Sequence, residues 1–280
     1  MPPGARCEGG LPPSRGAELR AAMKLKTLAI PIRCVDFSDS SQVVSLFTRE
    51  LGLVEGIAKG AHRDKSPFQG PFDLAVLYEL VFIERQQEGL AILTESTVID
   101  GFRGVRRSWQ RHVAATHVIE FLRAVVSPAE PERNLFELTA RTLRLLASPE
   151  APPTGPLLLA YDTRALAELG FLGPLTACVE CGRERPPEPR PVFLSPRSRG
   201  ILCRFCREES PDPLGVTLSG PAVALLERLA GDSPEPWNGV DDQWRAVGKP
   251  LVRAVSRLRT NLLERELVLL KSAGSWLSNP

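Results

Sequence analysis

Residues 25–72 read LKTLAIPIRCVDFSDSSQVVSLFTRELGLVEGIAKGAHRDKSPFQGPF. Leu28, Ile30, Ile32 and Cys34 alternate along the first part of this stretch. Successive side chains of a strand point to opposite faces, so such a run offers one apolar face to a core. Val43, Val44, Leu46 and Phe47 form a second run and Leu53, Val54, Ile57 and Ala58 a third, with Leu51-Gly52 at the turn between them. Pro31 has no amide hydrogen to give to a ladder, which predicts an edge position or a bulge there. Two further runs, Leu74 to Ile83 and Leu90 to Ile99, are joined across Gln86-Gln87-Glu88-Gly89. Five short strands in about 75 residues predict a small β-barrel.

Beyond Gly101 the period changes. Phe102, Val105, Trp109, Val113 and Thr116 recur at helical spacing, with Arg103, Arg107 and Arg111 at steps of four on another face. A second helix is expected from Asn134 to Leu146, with Asn134 as N-cap and Glu137 completing a capping box. A third runs from about Pro156 to Leu169 and stops at Gly170. Helical character returns at 219–230 after Ser219 and at about 250–271, with the loop GDSPEPWNGVDDQW between these two. The organisation expected is therefore a barrel at 23–100 and a helical domain at 101–272, interrupted by a cysteine-rich insert at 173–212. Residues 1–22 hold four Pro and four Gly with few large apolar side chains, and are expected to be disordered. Residues 273–280 are expected to form a flexible tail. Because Met23 directly precedes the first patterned segment, translation starting there is a further hypothesis, which the intact mass of the native protein tests.

Four of the six cysteines form Cys178-Val-Glu-Cys181-Gly182 and Cys203-Arg-Phe-Cys206, that is C-x2-C-x21-C-x2-C. Each C-x-x-C turn places two thiolates along one edge of a tetrahedron, and two such turns close a four-thiolate site with no open position. The spacing predicts one structural zinc ion in a ribbon, with Val192-Phe193-Leu194 and Gly200-Ile201-Leu202 as a hairpin. A redox C-x-x-C would need a βαβ context, and an iron–sulfur centre suits the wide symmetric spacing poorly. Cys7 is read as a free thiol and Cys34 as a core-facing strand residue.

The chain of 280 residues has 35 Lys plus Arg against 33 Asp plus Glu, so any affinity for nucleic acid must come from local clustering. Twenty-nine of these cations are Arg, the better fork for phosphate, although a GC-rich coding bias also enriches Arg. No apolar run is long enough to span a bilayer, and the N-terminus lacks a secretory apolar segment, so the chain is expected in a reducing cytoplasm. There is no phosphate loop and no dinucleotide turn. His62, His112 and His117 are the only histidines, and the last two diverge too far around a helix to share a metal; a surface or partly buried place on it is expected for both. No nucleophile, base and orienter set emerges, which points away from an enzyme.

Within 24–100 the balance is 8 basic to 11 acidic residues, yet Lys59-Gly-Ala-His-Arg63-Asp-Lys65 packs three cations into seven residues. Arg33 and Arg49 are placed on the neighbouring surface. A positive loop on a small barrel is a common way to track a single strand, while a solvated loop of scattered charge is the plainer reading. Phe37, Phe68 and Phe72 are the aromatic residues flanking it. Residues 101–127 add Arg103, Arg106, Arg107, Arg111 and Arg123 against Glu120, and Lys249, Arg253 and Arg257 form another stripe; either could continue a phosphate track across the helical domain, with Arg103, Arg107 and Arg111 as candidate DNA contacts. Within the insert, residues 183–207 carry seven Arg against Glu184 and Glu188.

The order of these parts resembles the RecO family of bacterial recombination mediators. The resemblance rests on residues 25–72, in which Val44 to Gly52 reads VSLFTRELG and Lys59 to Phe68 reads KGAHRDKSPF, on Gly170-Phe171 through Cys178-Val-Glu-Cys181-Gly182, on Gly200-Ile-Leu-Cys203, and on Lys271-Ser272. It covers residues 24–272. It implies an α+β multi-domain fold, with an N-terminal five-stranded OB-fold barrel followed by an all-helical domain carrying a four-cysteine zinc ribbon. It also implies a non-enzymatic protein that binds single- and double-stranded DNA, anneals complementary strands and, with RecR, helps load RecA in the RecF pathway. Single-stranded DNA-binding protein, through its C-terminal tail, is the further implied partner, and the bacterial nucleoid the place of action. By position, Lys59, Arg63 and Lys65 would contact DNA and Cys178, Cys181, Cys203 and Cys206 would hold zinc. His62 stands where the family often has Arg, at the loss of one permanent charge. Two alternatives compete: a zinc-ribbon adaptor for proteins with a structural barrel, and a nucleic-acid-processing enzyme whose site is not visible.

Overall fold

The computed structural model describes residues 24–83, 89–185, 190–231 and 241–263. The expected N-terminal extension 1–22 with Cys7, the centre of the turn at 86–88, the end of the last helix and the tail 273–280 lie outside the described residues.

Strand β1 (Lys24–Ser38) spans 15 residues and serves two neighbours. Its first half pairs antiparallel with β4 (Leu77–Ile83), from Lys24 opposite Ile83 to Ala29 opposite Tyr78. Its second half pairs with β2 (Ser41–Thr48), from Ala29 opposite Thr48 to Ser38 opposite Ser41. One strand shared in this way curls the sheet, and the register shift between Pro31 and Arg33 is the bulge that the missing proline amide requires. β3 (Gly52–Ala58) pairs antiparallel with β2, then parallel with β5 (Ala91–Asp100) at Gly56–Ala91 and Ile57–Ile92, closing a barrel of order β1-β2-β3-β5-β4. This is an OB-type barrel, as expected. The fourth strand begins at Leu77 and not Leu74, because Ala75 adopts a left-handed turn conformation (φ 54°).

The barrel has two apolar surfaces. Inside, Ala29, Val44, Leu46, Leu80, Phe82 and Leu93 are buried together with Phe68 and Phe72 from the β3–β4 connection. Outside, Ile30, Ile32, Phe47 and Leu77 join the core of the first helices, and Phe47 meets Phe136 edge-on at 5.3 Å. At the junction Gly52 has φ 69°, and its successor's amide, Leu53 N, donates to Ser127 O at 3.0 Å. A Cβ at Gly52 would lie 2.6 Å from the carbonyl oxygens of Ser127 and Glu130, so only glycine allows this approach.

The predicted first helix is two pieces: a 3-10 turn at Arg103–Arg107 and α1 (Trp109–Val125), separated by extended Ser108 (φ −139°, ψ 135°). The break puts Phe102 and Val105 out of phase with α1, which is why Trp109 is 74% exposed and not on the apolar face. Gly104 packs on the end of α2 (Arg133–Ala147), where a Cβ would sit 1.8 Å from Ala147 O. The expected capping box of α2 is absent: Asn134 Nδ2 donates to Glu168 at 2.9 Å and Glu137 pairs with Arg49 at 2.7 Å, so both side chains serve tertiary contacts. α3 (Thr154–Glu168) ends as predicted, with Gly170 left-handed (φ 72°) and Phe171 N donating to Leu166 O at 2.7 Å.

The insert holds the predicted hairpin, β6 (Val192–Ser195) and β7 (Gly200–Leu202), then the short helix α4 (Arg204–Glu209). A third strand, β8 (Val216–Leu218), extends the sheet in the order β7-β6-β8; its three residues are too few to carry a readable alternation. α5 (Gly220–Ala230) starts at Ser219, whose hydroxyl accepts from Ala222 N. α6 (Asp241–Leu263) begins well before Pro250, which lies inside the helix, so the loop expected as far as Trp244 is shorter. Trp244, Val247, Leu251, Val255 and Leu258 bury that helix against α5, β8 and the back of α3. No helix among the described residues is long and apolar enough to cross a membrane.

Candidate nucleic-acid interface and metal centre

The four cysteines converge. The Sγ atoms of Cys178, Cys181, Cys203 and Cys206 all lie within 4.8 Å of one another, with Cys181 and Cys203 3.7 Å apart. Local geometry builds each half. Gly182 takes φ 69° and donates its amide to Cys178 O at 2.9 Å, while Val179 N donates to Ile201 O at 3.0 Å, locking the first knuckle to β7. Cys203 opens α4, and Arg207 N donates to its carbonyl. Burial opposes ionisation of Cys178, but hydrogen bonds from the backbone of Cys203, Cys181 and Glu180 outweigh it and bring its pKa down to about 6. Hydrogen bonding from the backbone of Cys206 lowers the Cys203 pKa as well, whereas hydrogen bonding to Cys203 raises that of Cys206. Four sulfurs so close are a donor set that fits a tetrahedral thiophilic ion such as zinc.

The basic loop leaves β3 at Ala58. Lys59, Arg63 and Lys65 are all exposed, and none has an ion-pair partner among the described residues. Gly60 (φ 77°) turns the chain so that Arg63 N donates back to its carbonyl at 3.1 Å. His62 pins the loop to the barrel: its amide donates to Ser40 O at 3.3 Å and its Nε2 lies 2.9 Å from Asp36 Oδ1. Asp36, 26 positions away in sequence, carries no local signal for this role. Arg33 is exposed on the same strand as Asp36 and likewise lacks an ion-pair partner among the described residues.

The other predicted cations divide. Arg103 and Arg107 are exposed and unpaired among the described residues. Arg49 is held by Glu137 at 2.7 Å, and Arg111 donates to Ser148 O at 2.8 Å, so both guanidiniums are engaged within the fold. Arg106 pairs with Asp73, and Arg257 donates to Leu214 O and Gly215 O, leaving Lys249 and Arg253 as the exposed part of that stripe. Of the aromatic residues flanking the loop, Phe68 and Phe72 are 1% and 4% exposed inside the barrel, so only Phe37, at 68%, offers a free ring.

His117 is fully buried, not partly exposed as expected. Its Nε2 lies 2.8 Å from Asp162 Oδ1, and the other Asp162 oxygen pairs with Arg259, tying α1, α3 and α6 together. Burial disfavours the Asp162 carboxylate, but the charges of His117 and Arg259 outweigh this and hold its pKa below the usual range. The adjoining cavity is about 20 Å³, room for one water and not for a substrate.

Comparison with known proteins agrees with this architecture. The family model described as Recombination protein O N terminal matches residues 23–102, and that described as Recombination protein O C terminal matches residues 106–266. A DNA repair protein RecO of Rhodopirellula baltica is 33% identical over 214 residues, covering 76% of this chain and 78% of the relative. That of Symbiobacterium thermophilum is 31% identical over 201 residues, covering 71% and 77%. That of Desulfitobacterium hafniense is 28% identical over 251 residues, covering 89% and 86%. With both halves matched in order, and with a barrel, helices and cysteine cluster in the expected places, the chain belongs to the RecO family of DNA repair proteins.

Proposed function

We propose that this protein is a non-enzymatic recombination mediator that binds single- and double-stranded DNA and anneals complementary strands. With RecR it would help to load RecA on strands coated by single-stranded DNA-binding protein, whose C-terminal tail it engages, in the RecF pathway of the bacterial nucleoid. The observation that carries the reading is the loop of Lys59, Arg63 and Lys65. Three exposed cations without ion-pair partners among the described residues stand on a closed five-stranded barrel, and Arg33 lies on a strand to which His62 fixes the loop. Annealing requires two polyanions to approach. Cations that neutralise both backbones lower that barrier without a covalent step. Arg103 and Arg107 extend the same electrostatic role on the helical side, whereas Arg49 and Arg111 would first have to leave Glu137 and Ser148 O. Cys178, Cys181, Cys203 and Cys206 would hold one structural zinc ion, whose charge allows four thiolates to share a site and whose bonds join the two knuckles.

Annealing of complementary strands precoated with single-stranded DNA-binding protein, in the absence of nucleotide, tests the reading. Rapid duplex formation is expected, and a rate equal to the protein-free control rejects it. With roughly 4 to 6 phosphate contacts, log affinity for a single strand should fall against log salt with a slope near −3 to −4. Replacing Lys59, Arg63 and Lys65 by Ala should flatten that slope by about 2. A flat response of the unaltered protein would instead favour an adaptor role.

A further inference from the structure

Three arginine–phenylalanine stacks occur in and beside the cysteine-rich insert. Arg199 lies over Phe171 at 4.1 Å and Arg207 over Phe193 at 4.2 Å, covering rings that are half-buried and 9% exposed. Packing explains both, since an arginine stem and its flat head shield apolar surface. The third stack differs. Arg183 lies over Phe205 at 4.8 Å, yet Phe205 keeps 59% of its surface exposed. More than half of this residue stays in water, so burial alone does not account for its place. Phe205 stands between Cys203 and Cys206, where the knuckle holds it in position, and it lines a cleft of about 400 Å³.

The charge of that cleft is one-sided. Among the described residues Arg183, Arg185, Arg190 and Arg204 line it against the carboxylate of Glu184, and Arg190 is already engaged by another group. Arg185 is committed to Glu227 at 2.7 Å, a half-buried pair. Arg183 has no carboxylate partner among the described residues, and Arg204 has only Glu208, one turn along α4, with the two side chains 86% and 64% exposed. A phosphate competes readily with so solvated a pair.

We propose that this cleft is a second contact for single-stranded nucleic acid, separate from the barrel loop. An unpaired base stacks on Phe205 beside the Arg183 guanidinium, and the adjoining phosphate is met by Arg183 and Arg204. The choice of ligand comes from the pairing of features. A nucleotide carries a π face and a phosphate within one residue's length, whereas an acidic peptide would use the arginines and leave the ring exposed. The inference rests on the nucleic-acid reading above and extends it to a face of the molecule that reading does not use.

The experiment compares full-length, zinc-loaded protein on oligo(dT) and on an abasic oligomer of the same length and charge. Phe205→Leu should weaken oligo(dT) binding about tenfold and abasic binding less than twofold, as expected for loss of one stacked base, and Phe205→Trp should restore it. Equal effects on both oligomers, or none on either, overturn the inference. If Phe205→Leu releases zinc, Arg183→Gln with Arg204→Gln decides: the salt slope should flatten by about 1, and an unchanged slope overturns the proposal. Should these two changes weaken only a Glu-rich peptide, the cleft is a peptide seat and the proposal fails. Loss of binding in the Lys59, Arg63 and Lys65 variant with a silent Phe205→Leu removes this second contact alone. An unaltered protein that binds neither oligomer removes both readings.

Discussion

At the scale of single residues, His117, Asp162 and Arg259 form the most deeply buried ion-pair set among the described residues. Asp162→Asn would leave the Arg259 guanidinium without its counter-charge and the His117 ring without its carboxylate partner in a closed site, and should cost roughly 3–5 kcal/mol of stability by urea titration. The acid limb should change with it. A carboxylate whose folded pKa is depressed contributes stability that is full above its unfolded value of about 3.9, and that is lost as pH falls through the lower folded value. Melting of the unaltered protein should therefore drop steeply below about pH 4, and this slope should flatten in Asp162→Asn. Cys34 is a second residue-scale case. Burial, then the charges of Asp73 and Asp36, push its pKa up to about 12, so a thiol-directed reagent should label it slowly at neutral pH. Fast labelling of a Cys7→Ser, zinc-loaded protein would contradict this.

Elements were legible where a local signal acts alone. Pro31 announced an edge or a bulge and is a bulge, Gly170 announced a helix end and Ser219 a helix start, because a missing amide, a left-handed turn and a hydroxyl cap are settled within a few residues. Signals failed where tertiary partners compete. Asn134 and Glu137 have capping-box spacing, but Glu168 and Arg49 offer them charged partners instead. The helix expected through 102–116 breaks at Ser108 so that Gly104 can pack against the carbonyl of Ala147. Gly104→Ala should accordingly destabilise by at least about 1–3 kcal/mol, because the Cβ meets backbone and not a side chain that can swing away. Thermal melting at fixed salt checks this, and an unchanged midpoint would argue for a continuous helix. In the insert, both knuckles are tied to the β6–β7 sheet, so Cys181→Ser should release the metal and unfold the insert together. Zinc content by mass spectrometry and protease sensitivity at 178–206 should change in parallel; full metal content with normal melting refutes the four-cysteine centre.

For the whole molecule, the barrel is not a bead on a string. Ile30, Ile32, Phe47 and Leu77 turn away from its interior and enter the same core as α1, α2 and α3. Phe47→Ala should cost about 3–5 kcal/mol. Because the core is shared, strand and helix signals should melt together in this variant. Two separated transitions by circular dichroism and by fluorescence of buried Trp244 would show the barrel folding by itself. The same continuity connects function to architecture. The loop with Lys59, Arg63 and Lys65 stands on a barrel that shares a core with the helices, and the cysteine insert is joined to α5 through Arg185 and Glu227.

The class of the fold, the four clustered cysteines and the basic loop were all legible along the chain. Alternation, C-x-x-C spacing and a run of cations each act over a few residues and need no distant partner. Which cations are available was settled by folding, since Arg49 and Arg111 look like Arg33 and Arg103 until Glu137 and Ser148 O come within reach. Folding also decided that Phe68 and Phe72 fill the barrel while Phe37 and Phe205 stay in water. Burial and ion pairing are properties of the surroundings of a side chain, and those surroundings come from segments that meet only when the chain is folded.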